Sequence, residues 1–133
     1  MAFLVDNLQY YLHVDVLEVQ WQAFMEVAHA AADFETLNAA HERCLQALHS
    51  QCFLPPGSVS TALHQILQVC LELCYMLTEA RFDEQFTAVS REFTRQSTYL
   101  FAYLSSMTSP QVSPHLGQLL LRLNFNQFFV QGL

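Results

Sequence analysis

No lysine occurs in the 133 residues, and five arginines stand against twelve acidic side chains for a formal charge of −7. A chain so poor in cations has no basic face to meet phosphates, which excludes nucleic acid and anionic membrane surfaces as partners. Glycine is scarce too: Gly57, Gly117 and Gly132 lie too far apart to build a G-x-G-x-x-G turn or a P-loop. No apolar run reaches the 18 or so residues of a membrane span, since even Leu63 to Leu77 is broken by His64, Gln65, Gln68 and Glu72. The N-terminus lacks a basic region and meets Asp6 at once, unlike a secretory signal. What is abundant is apolar: 53% of residues are hydrophobic, which excludes disorder, and the length suits one domain with its own core. The four cysteines, at 44, 52, 70 and 74, sit within apolar helical patterns, as expected of small packing residues in a reducing compartment.

The periodicity predicts an all-α fold, an elongated bundle of about five helices. Leu4, Leu8, Tyr11, Leu17, Trp21, Phe24 and Ala28 form one stripe on a long first helix reaching Ala32. Within it "HVDVLEV" alternates like a strand, but no hairpin signal lies nearby to pair with it. Asp33 reads as the N-cap of a second helix, with Glu35 in its first turn. Its inward face is Phe34, Leu37, His41, Cys44, Leu45, Leu48 and Cys52, ended by Pro55 and Pro56. After "PPGS", Ser58 or Ser60 can cap a third helix with Val59, Leu63, Ile66, Leu67, Cys70, Leu73, Cys74 and Leu77 inward. Asp83 opens a fourth, with Phe82, Phe86, Val89, Phe93, Leu100, Tyr103, Leu104 and Met107 on one side and Arg91, Glu92 and Arg95 facing away. "TSPQVSP" links to a fifth, where Ser113-Pro114 is a cap followed by proline at the first helical position, ahead of Leu116, Leu119, Leu120 and Leu123. There is no internal repeat.

Chemistry has little support in these residues. No G-x-S-x-G elbow or cysteine-protease signature is present, and nearly all the carboxylates fall on outer faces or in caps. No catalytic residue and no cofactor is expected. The rival is a zinc bundle: His41 with Cys44 and His49 with Cys52 on the second helix, Cys70 with Cys74 on the third. His41 and His49 are more than two turns apart, too far for one tetrahedral centre, and each cysteine stands where a packing residue is due. The favoured reading is packing, with no metal. His13, His29, His64 and His115 read as surface or satisfied core groups.

The chain ends "RLNFNQFFVQGL", and Phe125, Phe128 and Phe129 cannot all follow the stripe continued from Leu119 and Leu123. Aromatic rings flanked by Asn124, Asn126 and Arg122 have the composition of a protein-binding hot spot. The other reading is that the tail folds back and caps its own bundle.

Three blocks in order, "MAFLVDNLQYYLHVDVLE" with Trp21, "DFETLNAAHERCLQALHSQCFL" and "LLLRLNFNQFF", resemble the C-terminal end of the gamma-tubulin complex components. The resemblance runs from residue 1 to about 129. It implies a wholly helical, non-enzymatic scaffold of the cytoplasm and the microtubule-organising centre. Such a scaffold binds gamma-tubulin and other gamma-tubulin complex components, and it arranges them to nucleate microtubules. By position, it places Arg122, Asn124, Phe125, Asn126, Phe128 and Phe129 at or supporting the gamma-tubulin face. Two departures bear on that. Asn124 stands where the family usually has Asp, and Phe128 and Phe129 stand where Tyr is common; a charged hydrogen bond lost from a buried interface weakens it by about 1.5–3 kcal/mol. Family members are also far longer, so residues 1–133 are expected to be the terminal part of a C-terminal helical domain, a fragment or truncated form. Without its covering helices such a piece exposes apolar surface, and a structural helical fragment with no autonomous binding is the alternative function.

Overall fold

The structure is a computed structural model that describes residues 1–79, 83–107 and 114–125. Three consecutive stretches, Ala2–Tyr10, Tyr11–Glu18 and Val19–Ala30, form one unbroken helix, α1. It is followed by α2 (Phe34–Gln51), α3 (Ser58–Glu79), α4 (Asp83–Met107) and α5 (Pro114–Leu123). The described residues thus form the expected all-α fold of five helices. Helix α1 ends near its predicted limit, and Pro114 opens α5 as its position after a serine suggested. Phe82 and Ser113 lie outside the described residues.

The middle of α1 is wound as a π-helix from Tyr11 to Glu18. Bonding from residue i to i+5 widens the turn and rotates everything downstream of it. Tyr11 and Val16, both with no exposed surface, are five residues apart. In a regular α-helix that spacing would turn them about 140° away from each other. The apolar stripe is displaced in consequence. Leu4, Leu8 and Tyr11 are buried as predicted, whereas Leu17 and Trp21 are 40% and 58% exposed and Val16 takes the inward place. The strand-like "HVDVLEV" lies almost wholly inside this stretch, so its alternation marks a distorted helix rather than a strand.

At the start of α2 the Asp33 carboxylate accepts the Thr36 N–H at 2.6 Å and the Thr36 hydroxyl at 3.1 Å, the predicted cap. The helix stops before the prolines. Leu54 N–H donates to the His49 carbonyl and Phe53 N–H to that of Ser50, both at 3.2 Å, with Phe53 at φ 57°. This is a Schellman ending with phenylalanine in the left-handed position that glycine usually takes. The Phe53 ring is retained there by stacking on Tyr11, centroids 6.0 Å apart. Helix α3 begins at Ser58, with Thr61 N–H on the Gly57 carbonyl, so Gly57 takes the cap position and both Ser58 and Ser60 lie inside the helix rather than capping it.

One core joins Leu4, Leu8, Tyr11 and Val16 of α1 to Ala62, Leu63, Ile66 and Val69 of α3, Phe93, Leu100 and Leu104 of α4, and Leu116, Leu119 and Leu123 of α5. Helix α5 packs against the first half of α1 and against α4, while α3 and α4 pair extensively. The rest is an arm. In Val19–Ala30 no residue is buried, and in α2 only Ala40 is. Phe34, Leu45 and His41, predicted inward, are exposed, though the His41 ring meets Phe24 of α1 edge-on at 5.8 Å; the covered positions of α2 include Leu37, Ala40, Cys44, Ala47 and Leu48. On α3 Ala62, Val69 and Met76 are buried beside the expected Leu63 and Ile66, and Leu67, Cys74 and Leu77 are turned out. On α4 the exposed Phe86 and Met107 lie beyond the core, which closes between Phe93 and Leu104 around the buried Gln96 and Ser97. Both of these satisfy themselves locally, Gln96 on Glu92 at 2.7 Å and Ser97 on the Thr94 carbonyl at 3.2 Å.

Candidate protein-binding site

Helix α5 is short, with Leu116, Leu119 and Leu123 buried and Leu120 half-buried, as its spacing predicted. That burial fixes which way its last turn points. Arg122 occupies this turn, where a cation also complements the helix dipole. Its guanidinium is not free. Nη2 donates to Asp15 Oδ1 at 2.8 Å, Nε donates to Asp15 Oδ2, and the group lies over the Tyr10 ring at 4.2 Å from the centroid. The bidentate pair is largely screened from water, with side-chain exposures of 28% and 19%. The carboxylate of Asp15 pushes the Arg122 pKa above its ordinary value. Of the six residues assigned to the site, this one faces inward, onto α1.

Two others remain near the surface. Asn124 is half-buried, and its Oδ1 is a buried acceptor without a hydrogen-bond partner among the described residues. Phe125 is 83% exposed. The chain turns out of the helix through Asn124 N–H on the Leu120 carbonyl, 2.9 Å, and Phe125 N–H on the Arg122 carbonyl, 3.3 Å. Asn124 and Phe125 line one end of a groove of about 520 Å³ completed by Phe101 and Ser105 of α4 and Gly117, Leu120 and Leu121 of α5. It is mainly apolar, a surface suited to an apolar side chain. Asn126, Phe128 and Phe129 lie outside the described residues.

Residues 1–129 match a family described as "Gamma tubulin complex component C-terminal". The chain belongs to that family. Among curated relatives, gamma-tubulin complex component 4 of Homo sapiens is 40% identical over 99% of this chain and 21% of its own length. Component 4 of Arabidopsis thaliana is 39% identical over 97% of this chain and 18% of its own. Component 3 of Arabidopsis thaliana is 40% identical over 55% of this chain. This member of the gamma tubulin complex component family thus spans about a fifth of the length of the component 4 relatives it matches.

The cysteines and histidines considered for zinc are dispersed. Among the described residues no three His, Cys, Asp or Glu side chains gather to hold a metal ion. Cys44 donates to the Gln20 carbonyl at 3.7 Å, and Cys52 and Cys70 pack against the core, where burial pushes both thiols up. No helix among the described residues is long and apolar enough to cross a membrane. The residues missed from sequence are Tyr10 and Asp15 on the far side of Arg122 and Phe101 and Ser105 in the groove. Nothing local in the sequence pairs positions 107 apart.

Proposed function

We propose that this chain is a gamma-tubulin-binding piece of a gamma-tubulin complex component, a non-enzymatic scaffold contributing to complex assembly and microtubule nucleation at the microtubule-organising centre. Residues 1–133 are read as the terminal part of the C-terminal helical domain. The gamma-tubulin face is formed or supported by Arg122, Asn124, Phe125, Asn126, Phe128 and Phe129. The observation that carries the reading is the exposed Phe125 beside an apolar groove between α4 and α5. An exposed aromatic ring beside an apolar groove gains from a partner that covers both.

The test is capture of purified gamma-tubulin by the native chain, compared with Phe125→Ala and with Phe128→Ala plus Phe129→Ala. Removing hot-spot aromatics weakens binding by about 2 kcal/mol or more, roughly thirtyfold. Equal capture by all three chains would take the tail out of the interface. The second reading, a structural helical fragment without autonomous binding, draws on the exposed Leu67, Leu71, Tyr75 and Leu77 along α3, which ask for cover by another part of a longer chain. It predicts no capture by the native chain.

A further inference from the structure

We infer that Asp15 and Tyr10, on the first helix, are positioning residues for the C-terminal tail, acting through Arg122 as a latch. The inference rests on the reading that the tail meets gamma-tubulin, and it changes the part played by Arg122 from contact to anchor.

Three observations carry it. The Arg122 side chain is engaged on both its donor edge and its face, by the Asp15 carboxylate and the Tyr10 ring. Two of the five guanidinium N–H groups are taken by Asp15, and a planar fork held at two oxygens fixes orientation as well as distance. The backbone of the same residue holds the turn that follows, since the Arg122 carbonyl accepts from Phe125 N–H at 3.3 Å. One residue therefore ties the turn through Asn124 and Phe125 to α1. Finally, Asp15 lies within the π-helical stretch Tyr11–Glu18, on a part of α1 that α5 packs against. The wider turns set the outward register there, so the distortion and the latch belong together.

The experiment uses the full chain and two readouts: affinity for gamma-tubulin, and amide hydrogen exchange of residues 119–125. Asp15→Asn keeps the shape and removes the charge. It is expected to weaken gamma-tubulin binding about tenfold, the scale of one charged hydrogen bond, and to speed exchange at the end of α5. Arg122→Met should have a similar effect, and the double variant no more than either single, because both remove one interaction. Unchanged binding with Asp15→Asn alongside loss with Arg122→Met would mean that Arg122 touches gamma-tubulin directly, and would overturn the latch. If the native chain does not bind gamma-tubulin, the exchange readout still decides: unchanged exchange in Asp15→Asn overturns the latch, and faster exchange confined to 119–125 upholds it while the reading of the partner fails.

Discussion

Tyr11 shows how a single polar atom is accommodated in this core. Its ring is wholly buried, and its hydroxyl donates to the Gln51 carbonyl at 3.2 Å, one of the acceptors left open at the end of α2. Burial, with the nearby Cys52 and Asp15, pushes the phenol pKa well above its usual value. Tyr11→Phe is expected to destabilise the chain by about 1 kcal/mol in chemical denaturation, because the carbonyl loses its partner while the packing stays. Asp33 answers to pH instead. Accepting the Thr36 N–H holds its carboxyl below the ordinary value, so the cap contributes fully above about pH 4 and is lost as pH falls through the lower folded value. The melting temperature of the native chain should therefore exceed that of Asp33→Ala at neutral pH, and the gap should close on acidification. A gap independent of pH would remove the charged cap. Asp33 was legible in the sequence because a cap is local, three residues from the amide it serves. The Asp15–Arg122 pair was not, because only folding brings these positions together.

The helices divide by how regular they are. In α5 a uniform α-helical repeat made the inward face readable, and Leu119, with no exposed surface, stands two residues from Leu121, 70% exposed. Leu119→Ala is expected to cost about 2–5 kcal/mol by leaving a cavity, and Leu121→Ala less than about 0.5 kcal/mol, in urea titrations. Similar losses at both would contradict the assigned face. In α1 the same repeat misleads after Tyr11, since the π-helical turns shift the phase and leave Trp21 outside. Periodicity counts residues at a fixed angle and cannot see a change of angle. In α2 and α3 the errors have another cause. Phe34, Leu45, Leu67 and Leu77 are large and apolar yet exposed, while the small Ala40 and Ala62 are buried where helices approach closely. Hydrophobicity ranks side chains by their dislike of water, but close helix contacts select for size.

At the scale of the molecule, the chain is a core of α3, α4, α5 and the first half of α1, with an arm of α2 and the rest of α1 that buries almost nothing of its own. Trp21, Phe34 and Leu45 on the arm, and Leu71 and Tyr75 on α3, are exposed, and the chain matches about a fifth of each component 4 relative. The described part of the candidate face differs from the arm in character: it rests on the buried leucines of α5, and Arg122 in its last turn is paired with Asp15. Five of its six proposed residues follow the last helical turn or stand beyond it, and three of those six, Asn126, Phe128 and Phe129, fall outside the described residues. Family likeness, rather than periodicity, is what pointed to them.

Hydrogen exchange of the chain with and without saturating gamma-tubulin reads that face directly. Protection should gather at residues 117–125 and at the facing stretch around Phe101 and Ser105, leaving the arm at residues 19–51 unchanged. Protection confined to the arm, or none at all, would contradict the assignment of the end of α5 as the surface that gamma-tubulin meets.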